Sequence, residues 1–252
     1  MTKPEIIIFT DGASKGNPGL GGWGSVVAIY DSKDEDFKNQ ALIFELGGSE
    51  INTTNNRMEL AALIGSLEYL KHHEPLILNR AQIIIYSDSN YAINGITKWV
   101  KGWQKRGWQT TQKEEVLNRD LWERLITATA GLTIDWRYVG GHVGVAGNER
   151  ADELASALAN GHTPDFFSGP ALHYGRDIFN INFDTTLESA KQASRSHSRS
   201  RAYSYVSKVG GKVKLHKTWF ECERAVKGKP GALYKKALSK EDESALLKAW
   251  GK

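Results

Sequence analysis

Along the first 160 residues, apolar positions switch between short continuous runs and helical periodicity. Glu5–Thr10, Trp23–Tyr30 and Gln40–Gly48 are β-rich runs too short for buried helices. The stretch Asp11–Gly24 between the first two is rich in glycine, and Asn17-Pro18-Gly19 is a turn signal. The period then changes. Met58, Leu60, Ala61, Leu63, Ile64, Leu67 and Leu70 form one apolar face of a helix over Asn55–Lys71. Gln82–Tyr86 and Leu132–Tyr138 are two further strands. Helices are predicted over Asn90–Trp103, Val116–Thr129 and Asn148–Ala159, the last ended by Gly161 and Pro164. Three strands followed by helices interleaved with two more predict an α/β fold, a mixed sheet covered by helices.

Beyond residue 160 the patterning weakens. Residues 161–202, which include the Ser/Arg stretch Ser194–Arg201, have the composition of a linker. Residues 203–252 regain structure, with helix-like stretches at Trp219–Val226 and Lys240–Trp250. The whole chain, 252 residues, is long enough for one full core and something smaller. Its net charge of +4 conceals an asymmetry. Residues 1–190 carry 17 Lys+Arg against 24 Asp+Glu, a net −7, whereas residues 191–240 carry 14 against 2, a net +12. A segment that basic fits a polyanion partner, because lysines and arginines gain affinity by releasing condensed counterions. No run approaches ~18 apolar residues, and the N-terminal run Ile6–Phe9 is too short for a signal peptide. We therefore expect no membrane partner and a cytoplasmic location. Cys222 is the only cysteine, which excludes an internal disulfide and a thiolate zinc cluster.

Four acidic residues have unusual settings. Asp11 ends the first strand and Asp88 ends the run Ile83–Ser87; on adjacent strands both would stand at one rim. Glu59 lies in the first turn of the long helix between Met58 and Leu60, and Asp152 lies early in the last helix. Massed carboxylates raise one another's pKa unless a cation joins them, and hard divalent ions such as Mg²⁺ take oxygen ligands. Each residue also has a plainer reading: an Asp at a strand end caps a turn, and Glu59 suits the helix dipole.

The flanking residues narrow the choice. Thr10-Asp11-Gly12-Ala13-Ser14-Lys15-Gly16-Asn17-Pro18-Gly19, Thr54-Asn55-Asn56-Arg57-Met58-Glu59-Leu60, Tyr86-Ser87-Asp88-Ser89, and Gly141-His142-Val143-Gly144 with Gly147-Asn148-Glu149-Arg150-Ala151-Asp152 resemble, in order, the four motifs of type 1 ribonuclease H. The resemblance covers residues 5–160, and the catalytic domain is placed at 1–160. It implies a five-stranded mixed sheet with flanking helices, and cleavage of the RNA strand of an RNA–DNA hybrid. It further implies two Mg²⁺ ions, which Mn²⁺ can replace, held by Asp11, Glu59, Asp88 and Asp152, and a His142 that assists proton transfer or product departure. Trp99, Lys105, Arg106 and Asn118 lie in a stretch resembling the basic handle of bacterial enzymes; aromatics interleaved with cations suit a nucleic-acid backbone. Trp103 and Trp122 are the candidates there for core. Asn17, Thr54, Asn55 and Asn56 are small polar groups suited to phosphates or to the 2′-hydroxyl that distinguishes RNA.

Residues 205–250 resemble a second module, the hybrid-binding or viroplasmin-like domain, in Tyr205–Gly210, Thr218-Trp219-Phe220-Glu221-Cys222 and Gly231–Lys236, and the domain is placed at 203–252. The resemblance implies that Trp219 and Tyr234 stack on the DNA strand, that Lys235 and Lys236 hold phosphates, and that Tyr205 supports the surface. The plainer reading makes Tyr205 and Trp219 the core of a small domain. The chain departs from the pattern twice: the module follows the catalytic domain instead of preceding it, and Ala237 stands where an aromatic is usual. A monomer is expected. The alternatives are a catalytically silent hybrid-binding protein and a DNA strand-transfer enzyme of the wider ribonuclease H-like group.

Overall fold

A computed structural model describes residues 4–181, apart from 17, 32, 35 and 141–143, and residues 202–250, apart from 227–228 and 230–231. The chain divides into two compact units, Met1–Asp184 and Thr185–Lys252. In chain order, the first unit begins with strands β1 (Glu5–Gly16) and β2 (Gly19–Tyr30), the short helix α1 (Phe37–Gln40), and β3 (Leu42–Thr53). The long helix α2 (Asn55–His73), α3 (Pro75–Leu78) and β4 (Gln82–Ser87) follow. Next come α4 (Asn90–Asn94), a π-turn over Gly95–Trp99, α5 (Val100–Lys105), α6 (Arg119–Thr129), β5 (Ile134–Tyr138), α7 (Ala146–Ala159) and β6 (Ser168–Pro170).

The strands order as β5-β4-β1-β2-β3-β6. β1 is antiparallel to β2 and parallel to β4, and β4 is parallel to β5. The mixed sheet is thus as expected in kind, but it has six strands and not five. Ser168–Pro170 pairs with Leu42–Phe44 at the edge of β3. The expectation of a linker over 161–202 does not hold for Phe167–Ile181 for the same reason, and residues 182–201 lie outside the described residues. Buried Glu45 accepts hydrogen bonds from the Phe167 amide (3.1 Å) and the Tyr174 hydroxyl (2.7 Å), and Ile178 is buried in the core. The segment is therefore packed through Ile181, which contacts that same core.

The sheet separates two apolar layers. Ile6, Ile8 and Val27 meet Leu60, Leu63 and Leu67 of α2 and Trp122 of α6 on one face. Ile7, Phe9, Val26 and Ala28 meet Ala151 and Leu154 of α7 on the other. This is the period-two alternation of a strand buried on both sides. The glycine-rich stretch continues both strands, β1 to Gly16 and β2 from Gly19. Its glycines admit helix backbone: a Cβ at Gly22 or Gly24 would overlap the carbonyl oxygens of Ala155 and Ala151 in α7. The helix predicted over Asn90–Trp103 is interrupted at Gly95, where a Cβ would overlap the fully buried ring of Trp122. The prediction over Val116–Thr129 was too long at its start, because residues 106–118 form an irregular excursion.

The second unit is a three-stranded antiparallel sheet of β7 (Ser204–Val209), β8 (Lys212–His216) and β9 (Leu233–Ala237), ordered β8-β7-β9. Its helices are α8 (Trp219–Val226) and α9 (Lys240–Trp250). Val206, Cys222 and Ala237 are fully buried and form its centre. No helix among the described residues is long and apolar enough to cross a membrane.

Candidate active site

Parallel pairing of β1 with β4 matches Thr10 to Ser87, so the next residues, Asp11 and Asp88, emerge side by side. Gly12 then sets the third carboxylate. A Cβ at this position would overlap the Glu59 amide nitrogen, so its absence lets the first turn of α2 press onto β1. Ligand oxygens of Asp11, Glu59 and Asp88 consequently all lie within 4.8 Å of one another. Asp152 is exposed on α7 and is not one of those three, but its charge acts on Asp11.

The electrostatics follow from this crowding. Burial, then the charges of Asp88 and Asp152, push Asp11 up to about 8, against a single hydrogen bond from the Gly12 amide (2.6 Å). Burial and the charges of Asp11 and Asp88 hold Glu59 well above the usual carboxylate range. Asn55 donates to Glu59 Oε1 at 3.1 Å, whereas Glu59 Oε2 is buried without a hydrogen-bond partner. Three hard oxygen donors, one of them orphaned, suit a divalent cation whose charge would relieve the repulsion.

The other predicted residues are spread more widely. Thr54 precedes α2 without capping it, and Asn55 and Asn56 are exposed in its first turn. Asn55 is thus a partner of Glu59 before it is anything else. Asn17 and His142 lie outside the described residues. Trp99, Lys105 and Arg106 are exposed, Lys105 at the end of α5 and Arg106 just after it, with Arg106 donating to the Gln109 carbonyl at 3.1 Å. Trp122 is core as expected, and Trp103 is half-buried against it with ring centroids 5.5 Å apart. Asn118 is half-buried and donates to the Tyr91 hydroxyl at 3.1 Å.

In the second unit, Trp219 lies between Tyr205 and Tyr234, at centroid distances of 5.6 and 5.3 Å. Trp219 is 40% exposed and Tyr234 is 55% exposed. The small core is therefore built from Val206, Cys222 and Ala237, and the aromatic row remains accessible. Lys236 is paired with Tyr205 across the strands, and Lys235 precedes it.

Two features went unassigned in the sequence. Arg150, inside the fourth motif, forms a two-pronged ion pair with buried Glu45 (2.7 and 2.9 Å), and Tyr91 gathers three hydrogen bonds. Arg150 shared a motif with Asp152, a signal that was available; Tyr91 had none.

Comparison with known proteins agrees with the geometry. A family model described as RNase H matches residues 3–160. A protein named Ribonuclease H from Maricaulis maris (strain MCS10) is 48% identical over 162 residues, covering 63% of this chain and 98% of that protein. One of the same name from Francisella tularensis subsp. novicida (strain U112) is 46% identical over 154 residues, covering 61% and 90%. Among solved structures, LC9-RNase H1, described as a type 1 RNase H with the type 2 active-site motif, is similar with a TM-score of 0.58 at 29% identity, covering 70% of this chain and 83% of that one.

Proposed function

The chain belongs to the RNase H family, and we propose that it is an endonuclease that hydrolyses the RNA strand of RNA–DNA hybrids with two Mg²⁺ ions, leaving 5′-phosphate and 3′-hydroxyl ends. The observation that carries this reading is the convergence of Asp11, Glu59 and Asp88 oxygens within 4.8 Å. Bound Mg²⁺ would supply Lewis-acid charge at the scissile phosphate and lower the pKa of a coordinated water; Mn²⁺ accepts the same donors.

The chain's own residues do the rest. Asn55 occupies Glu59 Oε1 and leaves Oε2 as the oxygen that would hold a metal. The Gly12 amide fixes Asp11. Asp152 acts as a fourth ligand from the exposed face of α7, and His142 assists proton transfer. Asn17, Thr54, Asn55 and Asn56 sense phosphates and 2′-hydroxyls near the metals. Trp99, Lys105, Arg106 and Asn118 hold the nucleic-acid backbone. The second unit is a hybrid-binding domain: Trp219 and Tyr234 stack on the DNA strand, Lys235 and Lys236 hold phosphates, and Tyr205 supports the row. A tethered second site raises the effective concentration of substrate. The protein would work as a cytoplasmic monomer.

The test is a hybrid labelled on its RNA strand, incubated with Mg²⁺ and either wild type or Asp11→Asn. Internal RNA cuts by wild type alone support both the reaction and the carboxylate mechanism. Tight hybrid binding with no cutting in Mg²⁺ or Mn²⁺ would favour the catalytically silent alternative.

A further inference from the structure

We infer that Tyr91 is a positioning residue for substrate binding, acting through the side chain of Asn118; this rests on the proposed reading of Asn118 as a backbone contact. The Tyr91 hydroxyl has one proton and two lone pairs, and all are used. It donates to the Leu117 carbonyl (3.4 Å) and accepts from Trp122 Nε1 (3.1 Å) and Asn118 Nδ2 (3.1 Å). Because its only proton goes to Leu117, the tyrosine can receive Asn118 only through the amide nitrogen. That fixes which way the amide faces: Oδ1 and the second N–H point away from the tyrosine.

The backbone of Asn118 supports the same conclusion. It is one of three non-glycine residues with positive φ among the described residues (φ 59, ψ 32). It stands at the N-cap of α6, where an asparagine ordinarily accepts from the helix amides, yet it makes no such bond. Its side chain is diverted from capping to Tyr91, an arrangement that does not serve helix stability. The Tyr91 ring also packs between Trp122 and Trp99, at centroid distances of 5.3 and 6.2 Å. One side chain thus orients two proposed contact residues, the polar one by its hydroxyl and the aromatic one by its ring.

Tyr91→Phe in the full chain keeps the ring and removes the hydroxyl. Steady-state cleavage of a hybrid should show KM raised about five- to tenfold, in line with loss of one oriented hydrogen bond, with kcat within about twofold. Asn118→Ala should raise KM similarly, and the double variant should be no worse than either single one, since the two act as a unit. A merely structural role would lower the melting temperature and leave KM alone. Unchanged KM in Tyr91→Phe while Asn118→Ala is impaired overturns the inference and leaves the contact reading standing, as does additivity in the double variant. Unchanged KM in Asn118→Ala overturns the contact reading and the inference with it.

Discussion

Gly12 lies against the backbone of Glu59 so closely that residue 12 has no room for a Cβ. The contact is between main chains, so no side chain can swing aside to relieve it. Gly12→Ala should push the first turn of α2 outward and separate Glu59 from Asp11. We expect a loss of about 1–3 kcal/mol in stability, the usual cost of overpacking, together with loss of cleavage out of proportion to it. Calorimetry and cleavage assays on the same sample check this. Normal cleavage by a destabilised Gly12→Ala would show that the helix position does not set the site.

The raised carboxylates predict an unusual pH dependence when metal is chelated. Asp11 titrates near 8 in the folded chain and near its ordinary acidic value when unfolded, and Glu59 is raised in the same direction. The folded state therefore holds protons that the unfolded state has released. Stability from these groups is full below about pH 4 and is lost as pH rises through about 8. With EDTA, urea midpoints should fall between pH 5 and 8.5, by up to a few kcal/mol in free energy. Asp11→Asn should flatten much of that slope and be more stable than wild type at pH 8.5. Mg²⁺ should restore the wild-type midpoint. A slope that Asp11→Asn leaves untouched would count against this account.

Glu45 behaves oppositely. Burial pushes its pKa up, but hydrogen bonds from Arg150, Tyr174 and the Phe167 amide outweigh it and hold the group below the usual range. Its contribution is present above the ordinary glutamate pKa of about 4.3 and lost as pH falls through its depressed folded value. Arg150→Ala strands Glu45 in the core and should cost about 3–5 kcal/mol. Limited proteolysis should then cut within residues 161–181. Resistance of that segment in the variant would mean the apolar contacts of Tyr174 and Ile178 suffice to hold it.

Within the second unit, Trp219→Ala and Tyr234→Ala should each weaken hybrid binding by about 1–3 kcal/mol, the usual worth of a stacked base. Lys235→Ala and Lys236→Ala should each reduce the salt dependence of binding by about one unit of slope. Titrations of the full chain at several salt concentrations separate the two effects. Identical affinities for wild type and Trp219→Ala would return the aromatic row to a purely structural role.

What could be read from the sequence was the part fixed by local pattern. Ile6–Phe9 and Ile83–Tyr86 are strands because continuous β-branched runs bury on both sides, and the carboxylates after them inherit their positions. The role of the glycines at 12, 22 and 24 was not legible, because each makes room for a helix that arrives from far along the chain. Residues 161–181 hid for a similar reason. Phe167 and Tyr174 follow no period, and both are tied by hydrogen bonds to Glu45, more than a hundred residues earlier, which Arg150 holds from close by. Tyr91 was invisible because its significance lies in three partners near residue 120, across the irregular excursion.

The pairing of Ser168–Pro170 with Leu42–Phe44 has a consequence for solubility. The outer edge of a sheet presents unpaired amides and carbonyls that can template the strand of another molecule. Over these three residues the chain fills that position with its own backbone and ends the added strand in Pro170, which has no amide hydrogen to offer. The molecule thus guards this stretch of its rim against edge-to-edge aggregation, and the guard is fastened by the same Glu45 that anchors the segment.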